Sequence, residues 1–233
     1  VALAMSKIGP AMAAGCTVVV KPSPGTVLDS YVVAEAAHAA GVPPGVLNWV
    51  AADRAVGAYL VSHPGVDKVA FTGSTNAGRL IARTCGELLR PVTLELGGKS
   101  PQLVCADADI EKAAAAIAGN ILSNAGQACV AGSRIIVEES AADALSAAII
   151  ARMKAVKPGP TWDETTQYSP IISEVQRRRI DGIVQAAVAH GGECLTGGAN
   201  MDGPGYFYQP TLIANVDQTS PAVTEEIFGP VLT

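Results

Sequence analysis

Val92-Thr93-Leu94-Glu95-Leu96-Gly97-Gly98-Lys99 is the stretch that decides how the chain is read. Val92, Leu94 and Leu96 alternate with Thr93 and Glu95, the period-two pattern of a strand. Gly97-Gly98 ends it with residues that let another backbone or a ligand come close, so the strand delivers the Glu95 carboxylate to its end. Upstream, Thr17-Val18-Val19-Val20 is a β-branched run between Gly15 and Pro22, as expected of a buried parallel strand. Leu28 to Ala40 has helical composition and stops at Gly41, ahead of Pro43-Pro44. Leu47-Asn48-Trp49-Val50 makes a second strand, and Asp53 N-caps a helix through Leu60. Val66 to Phe71 is a third strand, Ser74-Thr75-Asn76 opens a helix through Arg83, and Pro91 to Leu96 is the fourth strand. Strand alternating with helix at this spacing predicts an α/β fold built on a doubly wound parallel sheet.

Beyond Gly97-Gly98 the proportions change. Leu103-Val104-Cys105 is a short strand, Asp109 caps an Ala-rich helix through Ala118, and Arg134 to Glu138 is a strand. Ser140 with Asp143 has the spacing of a capping box ahead of a helix to Met153, and Ser173 with Gln176 repeats it ahead of a helix to His190. Lys157-Pro158-Gly159-Pro160 is a loop. The boundary falls at Gly97-Gly98, giving a cofactor-binding piece over residues 1–97 and a catalytic piece over residues 98–233.

The second chemical group is Cys129, set in Asn124-Ala125-Gly126-Gln127-Ala128, a segment with almost no bulk to block a reacting carbonyl. Taken alone, a cysteine among small residues is more often a packed core residue, and a Glu at a strand end is more often a solvated charge. Together, a thiol nucleophile and a carboxylate able to activate water suit aldehyde oxidation through a thioester.

Composition narrows the alternatives. Hydrophobic residues make up 49% and charged residues only 16%, enough apolar material for a large core. Aromatics at 4% and a net charge of −5 offer neither stacking platforms nor attraction to a phosphate backbone, so nucleic acid is not expected as a partner. Cys16, Cys85, Cys105, Cys129 and Cys194 are odd in number and widely spaced, which fits reduced thiols in the cytoplasm rather than a disulfide framework. The histidines His38, His63 and His190 are isolated, so no metal site is expected. Ala11 to Val20 is apolar but too short to span a bilayer, and no secretory signal or membrane association is expected.

Five stretches then stand in one order: Val19-Val20-Lys21-Pro22-Ser23, Phe71-Thr72-Gly73-Ser74, Leu94-Glu95-Leu96-Gly97-Gly98-Lys99-Ser100-Pro101, Gly126-Gln127-Ala128-Cys129 and Glu225-Glu226-Ile227-Phe228-Gly229-Pro230. In wording and order this resembles the aldehyde dehydrogenase superfamily over essentially the whole chain. The resemblance implies that Cys129 attacks an aldehyde carbon, that its backbone N–H and an Asn side chain hold the oxyanion, and that Glu95 deprotonates the water that releases the acid. It implies NAD as cofactor, with NADP as a second candidate. No G-x-G-x-x-G is present, and Phe71-Thr72-Gly73-Ser74 takes the place of that turn, Ser74 at a helix start facing the pyrophosphate. Taken alone, Ser74 reads more simply as an ordinary N-cap, and the resemblance reverses that. Lys21 would bond the adenosine ribose, Glu226 the nicotinamide ribose, and Phe228 would pack on the nicotinamide ring; Ser23, Thr72 and Leu96 complete the cofactor-binding set. Without the motifs, Lys21 is a solvated lysine and Phe228 a core residue. Gln176 and Arg179 also come toward the adenosine end by resemblance, although Gln176 fits its capping box equally well, and Arg177-Arg178-Arg179 reads most simply as a solvated helix face.

The chain departs from the family at Pro24, where many members carry a Glu that holds the ribose hydroxyls. A CoA-acylating semialdehyde dehydrogenase is the rival enzyme, and its members tend to lack the carboxylate that Glu95 supplies. A catalytically silent homologue is the rival of another class. Val1 in place of Met, and an end at Thr233, mark the sequence as partial by comparison with the family. The oxyanion Asn and most tunnel residues are expected outside it, so these residues alone are expected to be inactive. The full-length protein is expected to be a homo-oligomer acting on a small-molecule aldehyde.

Overall fold

The structure is a computed structural model that describes residues 1–233. The chain divides into two units, Val1–Leu96 and Gly97–Thr233.

In the first unit the order is α1 (Ala2–Ala13), β1 (Val18–Val20), α2 (Leu28–Ala39), β2 (Leu47–Trp49), α3 (Arg54–Ser62), β3 (Val69–Gly73), α4 (Thr75–Glu87) and β4 (Val92–Leu96). β1 pairs in parallel with β2, Val18 opposite Leu47, and β3 pairs in parallel with β4, Val69 opposite Val92. The two hydrogen-bonded pairs do not join into one ladder. Caps follow the expected chemistry. The Asp53 carboxylate accepts the Val56 N–H at 3.1 Å, and the Ser74 hydroxyl accepts the Ala77 N–H at 3.3 Å. At the end of α2, Gly41 adopts φ +76°, and the Val42 N–H reaches back to the Ala37 carbonyl. α4 lies close on β4 because Gly78 has no Cβ; one placed there would stand 2.5 Å from a Leu96 methyl. Helix α1, with Pro10 inside it, was not anticipated; Ala2, Leu3, Ala4 and Met5 are strong helix formers. Ile8 and Cys85 are the only apolar side chains of this unit that are fully buried, whereas Leu28 and Leu80 stay exposed.

The second unit runs β5 (Ser100–Val104), α5 (Ile110–Leu122), a 3-10 turn (Ser123–Gly126), β6 (Gly132–Val137), α6 (Glu139–Ala155), α7 (Glu174–Ala189), β7 (Glu193–Thr196), β8 (Thr211–Ala214), α8 (Pro221–Thr224) and β9 (Val231–Leu232). β5 and β6 are parallel across the α5 crossover. β8 pairs antiparallel with β7 and parallel with β9. The terminal strand is tied to β6 by two backbone bonds, Ile135 N–H to the Thr233 carbonyl at 2.7 Å and Thr233 N–H to the Ser133 carbonyl at 3.0 Å. One core cluster gathers Ile117, Ile121, Leu145 and Ile149 of α5 and α6, and another gathers Ile180, Val184, Tyr208 and Ile213 around α7 and β8. Tyr168 is buried in the second and donates its hydroxyl to the Tyr208 carbonyl at 2.6 Å.

Two local expectations are corrected. Helix α6 begins at Glu139 with Glu138 as its N-cap and no side-chain cap, so Ser140 and Asp143 lie inside the helix and form no capping box. The backbone settles this, because the Glu138 N–H is held by the Val104 carbonyl and the turn must start there. At α7 only half the box forms. Ser173 accepts the Gln176 N–H at 3.2 Å, but the Gln176 side chain turns away.

Candidate active site

In the second unit, the segment before Cys129 is not the bland spacer its small residues suggest. Asn124, Ala125 and Gly126 take φ values of +50°, +51° and +69° in succession. Left-handed backbone is costly for a non-glycine residue, about 1 to 2 kcal/mol each, and persists only where the surroundings over-determine it. Here they do. Asn124 donates its amide to the Gln127 carbonyl at 2.8 Å, and Gln127 donates back to the Asn124 carbonyl at 3.0 Å. Gln127 also accepts the Ile172 N–H at 2.9 Å, which fastens the turn to a segment far along the chain. Gly126 is obligatory, since a Cβ there would run into the Gly229 carbonyl. At the far side, Asn120 at the end of α5 accepts the Gly132 N–H at 2.6 Å. Between these fixed points stands Cys129, its thiol exposed and its N–H outside every backbone hydrogen bond.

Gly97-Gly98 adjoins both partners of this loop. A Cβ built on Gly98 would meet the Cys129 carbonyl oxygen at 3.7 Å, and a Cβ on Gly97 would land on the Glu226 carboxylate. Burial of that carboxylate raises its pKa, while the Gly98 N–H and the Arg179 guanidinium act in the opposite direction. The Glu226 Oε1 is buried with no partner. Phe228 is half-buried with φ +57°, a strained conformation held from behind. Gln176 donates to the Ile227 and Phe228 carbonyls at 2.9 and 3.0 Å, and Arg179 donates to the Ile227 carbonyl at 2.9 Å. Gln176 and Arg179 therefore prop the Glu226–Phe228 segment from behind. The second unit thus brings Cys129, Glu226 and Phe228 around Gly97-Gly98. An open cavity of about 760 Å³ touches Asn124, Arg152 and Tyr168, but none of the expected site residues lines it.

In the first unit, the parallel register sets Thr72 opposite Glu95 and Gly73 opposite Leu96, so the expected pyrophosphate turn and the expected base share the carboxyl end of one strand pair. Glu95 is exposed. Gly73 has no room for a side chain, because a Cβ would press on the Phe71 ring at 2.5 Å, and the neighbouring Thr72 hydroxyl is buried without a partner. Lys21 and Ser23 follow β1 on the other pair. Lys21 donates to the Pro22 carbonyl at 2.8 Å and the Ala52 carbonyl at 3.2 Å. The Thr72 hydroxyl in the first unit and the Glu226 Oε1 in the second are each a buried polar atom without a partner in the protein, the first of a kind a phosphate would satisfy and the second of a kind a ribose hydroxyl would satisfy. No group of His, Cys, Asp or Glu side chains is placed to hold a metal ion, and no helix is long and apolar enough to cross a membrane.

Sequence reasoning missed Asn120, Gln127 and Lys99. An Asn ahead of Ala-Gly was a signal of left-handed backbone; nothing local could show that Gln127 reaches residues 170–172. Lys99 is partly buried, and burial, reinforced by the nearby Arg134 charge, pushes its amine down to about 8.

Geranial dehydrogenase of Castellaniella defragrans is 50% identical over all of this chain, which covers 49% of that protein. A crystal structure of an NAD-dependent aldehyde dehydrogenase from Sinorhizobium meliloti superposes with a TM-score of 0.93 at 40% identity, over 97% of this chain and 45% of that one. An NAD+ complex of an aldehyde dehydrogenase from Bacillus cereus superposes with a TM-score of 0.96 at 38% identity, over 99% and 47%. The chain spans about half the length of the curated relatives it matches. The family model for the aldehyde dehydrogenase family matches residues 1–233, and the chain belongs to that family.

Proposed function

We propose that the protein carrying this chain oxidises an aldehyde to a carboxylic acid with a nicotinamide dinucleotide, with Cys129 as nucleophile and Glu95 as the base of deacylation. The observation that carries the reading is Cys129 itself: an exposed thiol with a free N–H, at the exit of a strained turn pinned by Gln127.

NAD or NADP, when bound, supplies the two-electron acceptor. Lys21 and Ser23 would hold its adenosine ribose end, Thr72, Gly73 and Ser74 its phosphates, and Leu96, Glu226 and Phe228 its nicotinamide end. The Cys129 thiolate forms a bond to the aldehyde carbon, and the carbonyl π pair moves to oxygen, where the Cys129 N–H donates to it; a donor of this kind is worth about 10²–10³ in rate. Once the adduct's C–H bond has broken, its hydrogen leaving with both bonding electrons as the carbonyl re-forms, the acyl group is a thioester on Cys129. Glu95 then takes a proton from water, the oxygen attacks the acyl carbon, and the thiolate leaves with the acid released. A carboxylate at Glu95 favours water over CoA as the acyl acceptor. Unpaired cysteines support a reducing, cytoplasmic setting, and kinship supports a homo-oligomer; the 233 residues alone are expected to be inactive.

The test uses the full reading frame and a panel of simple aldehydes. Cys129→Ala is expected to abolish cofactor reduction. Glu95→Gln is expected to keep a rapid first turnover and to slow the steady state by at least about 10²-fold. Wild-type turnover by Cys129→Ala would refute the assignment of the nucleophile, and loss of the first turnover in folded Glu95→Gln would refute that of the base.

A further inference from the structure

Strand β6 opens on an irregularity. Ser100 pairs with Gly132 but Pro101 pairs with Arg134, so the register shifts and Ser133 has no partner across the ladder. A bulge of this kind takes backbone groups out of the ladder, and beside active sites bulges re-aim the chain. The ladder donor nearest to the Gly132 carbonyl belongs to the residue after Ser100, and Pro101 has no N–H to give. Two side chains take over. Gln102 of β5 donates its amide to the Gly132 carbonyl at 2.5 Å, and Asn120 of α5 accepts the Gly132 N–H at 2.6 Å. Gln102 also fills the space a side chain would need, since a Cβ on Gly132 would stand 2.5 Å from its Cδ. Gly132 is buried, so without these two partners its polar groups would be left unpaired.

This clamp stands directly after the proposed nucleophile. Ala128-Cys129-Val130-Ala131 is a turn closed by the Ala131 N–H on the Ala128 carbonyl at 3.0 Å. Cys129 holds its second position, whose N–H such a turn does not spend. That N–H points wherever the turn as a whole is set, and the turn is suspended from two places, Gln127 before it and Gly132 after it. We propose that Asn120 and Gln102 are positioning residues which, by fixing both polar groups of Gly132, aim the Cys129 N–H at the oxyanion of the adduct. The inference rests on Cys129 as nucleophile and goes beyond it, since both side chains act through Gly132. An N–H turned away from the oxyanion forfeits its stabilisation even where the thiol remains in place.

The test compares two reactions of Cys129 in the full-length protein and in its Gln102→Met, Asn120→Ala and Asn120→Asp variants. Gln102→Met keeps bulk over Gly132 without the donor, and Asn120→Asp keeps an acceptor oxygen for the Gly132 N–H. The first turnover of cofactor reduction builds an oxyanion. Alkylation by iodoacetamide does not, because the thiolate only displaces iodide; it is read on the Cys129 peptide, since Cys16, Cys105 and Cys194 are exposed too. Gln102→Met and Asn120→Ala are expected to slow the first turnover about tenfold or more, with KM and the alkylation rate both within about twofold of wild type. Asn120→Asp is expected to bring the first turnover back to within about threefold. An unchanged first turnover in Gln102→Met or Asn120→Ala would overturn the inference. So would alkylation that falls in step with it, because the clamp would then hold the loop without aiming the N–H. If Asn120→Ala shows no unfolding transition, Gln102→Met and Asn120→Asp decide the matter on the same two rates. Wild-type turnover by Cys129→Ala would instead remove the nucleophile reading, and this inference with it.

Discussion

Replacing Lys99 by methionine is expected to stabilise the protein at neutral pH, although it removes a charge beside the proposed active site. The amine is partly buried, its single hydrogen bond to the Ser133 carbonyl is long at 3.5 Å, and the Arg134 charge lies near. Burial, then Arg134, pushes the Lys99 pKa from 10.5 down to about 8. Below pH 8 both folded and unfolded chains carry the proton, and folding bears the full cost of holding it. Between pH 8 and 10.5 the folded chain releases the proton while the unfolded chain keeps it, so stability rises with pH. At about 1.4 kcal/mol per unit, the cost below pH 8 is about 3 kcal/mol. Loss of the weak contact to Ser133 offsets part of that, leaving an expected gain of about 1 to 3 kcal/mol for Lys99→Met at pH 7. Urea denaturation of both proteins from pH 6.5 to 10.5 is the assay, and the difference between them isolates Lys99 from other titrating groups. The advantage of the variant should be flat below pH 8 and shrink toward zero near pH 10.5. A variant less stable than wild type at pH 7, or a constant advantage across the range, would refute the reasoning.

Gly97→Ala is expected to cost about 1 to 3 kcal/mol, because its Cβ would displace the Glu226 carboxylate; in a Glu226→Ala background the cost should largely vanish, and an undiminished cost in thermal unfolding would count against the packing argument. Gln127→Ala removes the bonds to Asn124 and Ile172, worth about 1 to 2 kcal/mol together. Faster amide exchange over residues 124–131 is the expected mark, and unchanged protection there would show that the turn holds without Gln127.

Local sequence determined much of this protein. Alternation in Val92–Leu96, the β-branched run ending at Val20, and caps at Asp53, Ser74, Asp109 and Ser173 act through the backbone within a few residues, so each is legible where it stands. The motifs around Glu95, Cys129 and Glu226 likewise marked the family. Where the signal lay elsewhere in the chain, local reading failed. Ser140 and Asp143 have the spacing of a cap, yet the bond from Glu138 to Val104 sets the start of α6. Gln176 fits a capping box, yet carbonyls about fifty positions later take its side chain. The short strands β7, β8 and β9 show too little pattern to be read alone and exist because they pair with one another. Only the tertiary structure decided that three left-handed residues carry the chain to Cys129, since such a turn is unfavourable by itself and is held by Gln127, Ile172 and Gly229, which meet only when the chain has folded.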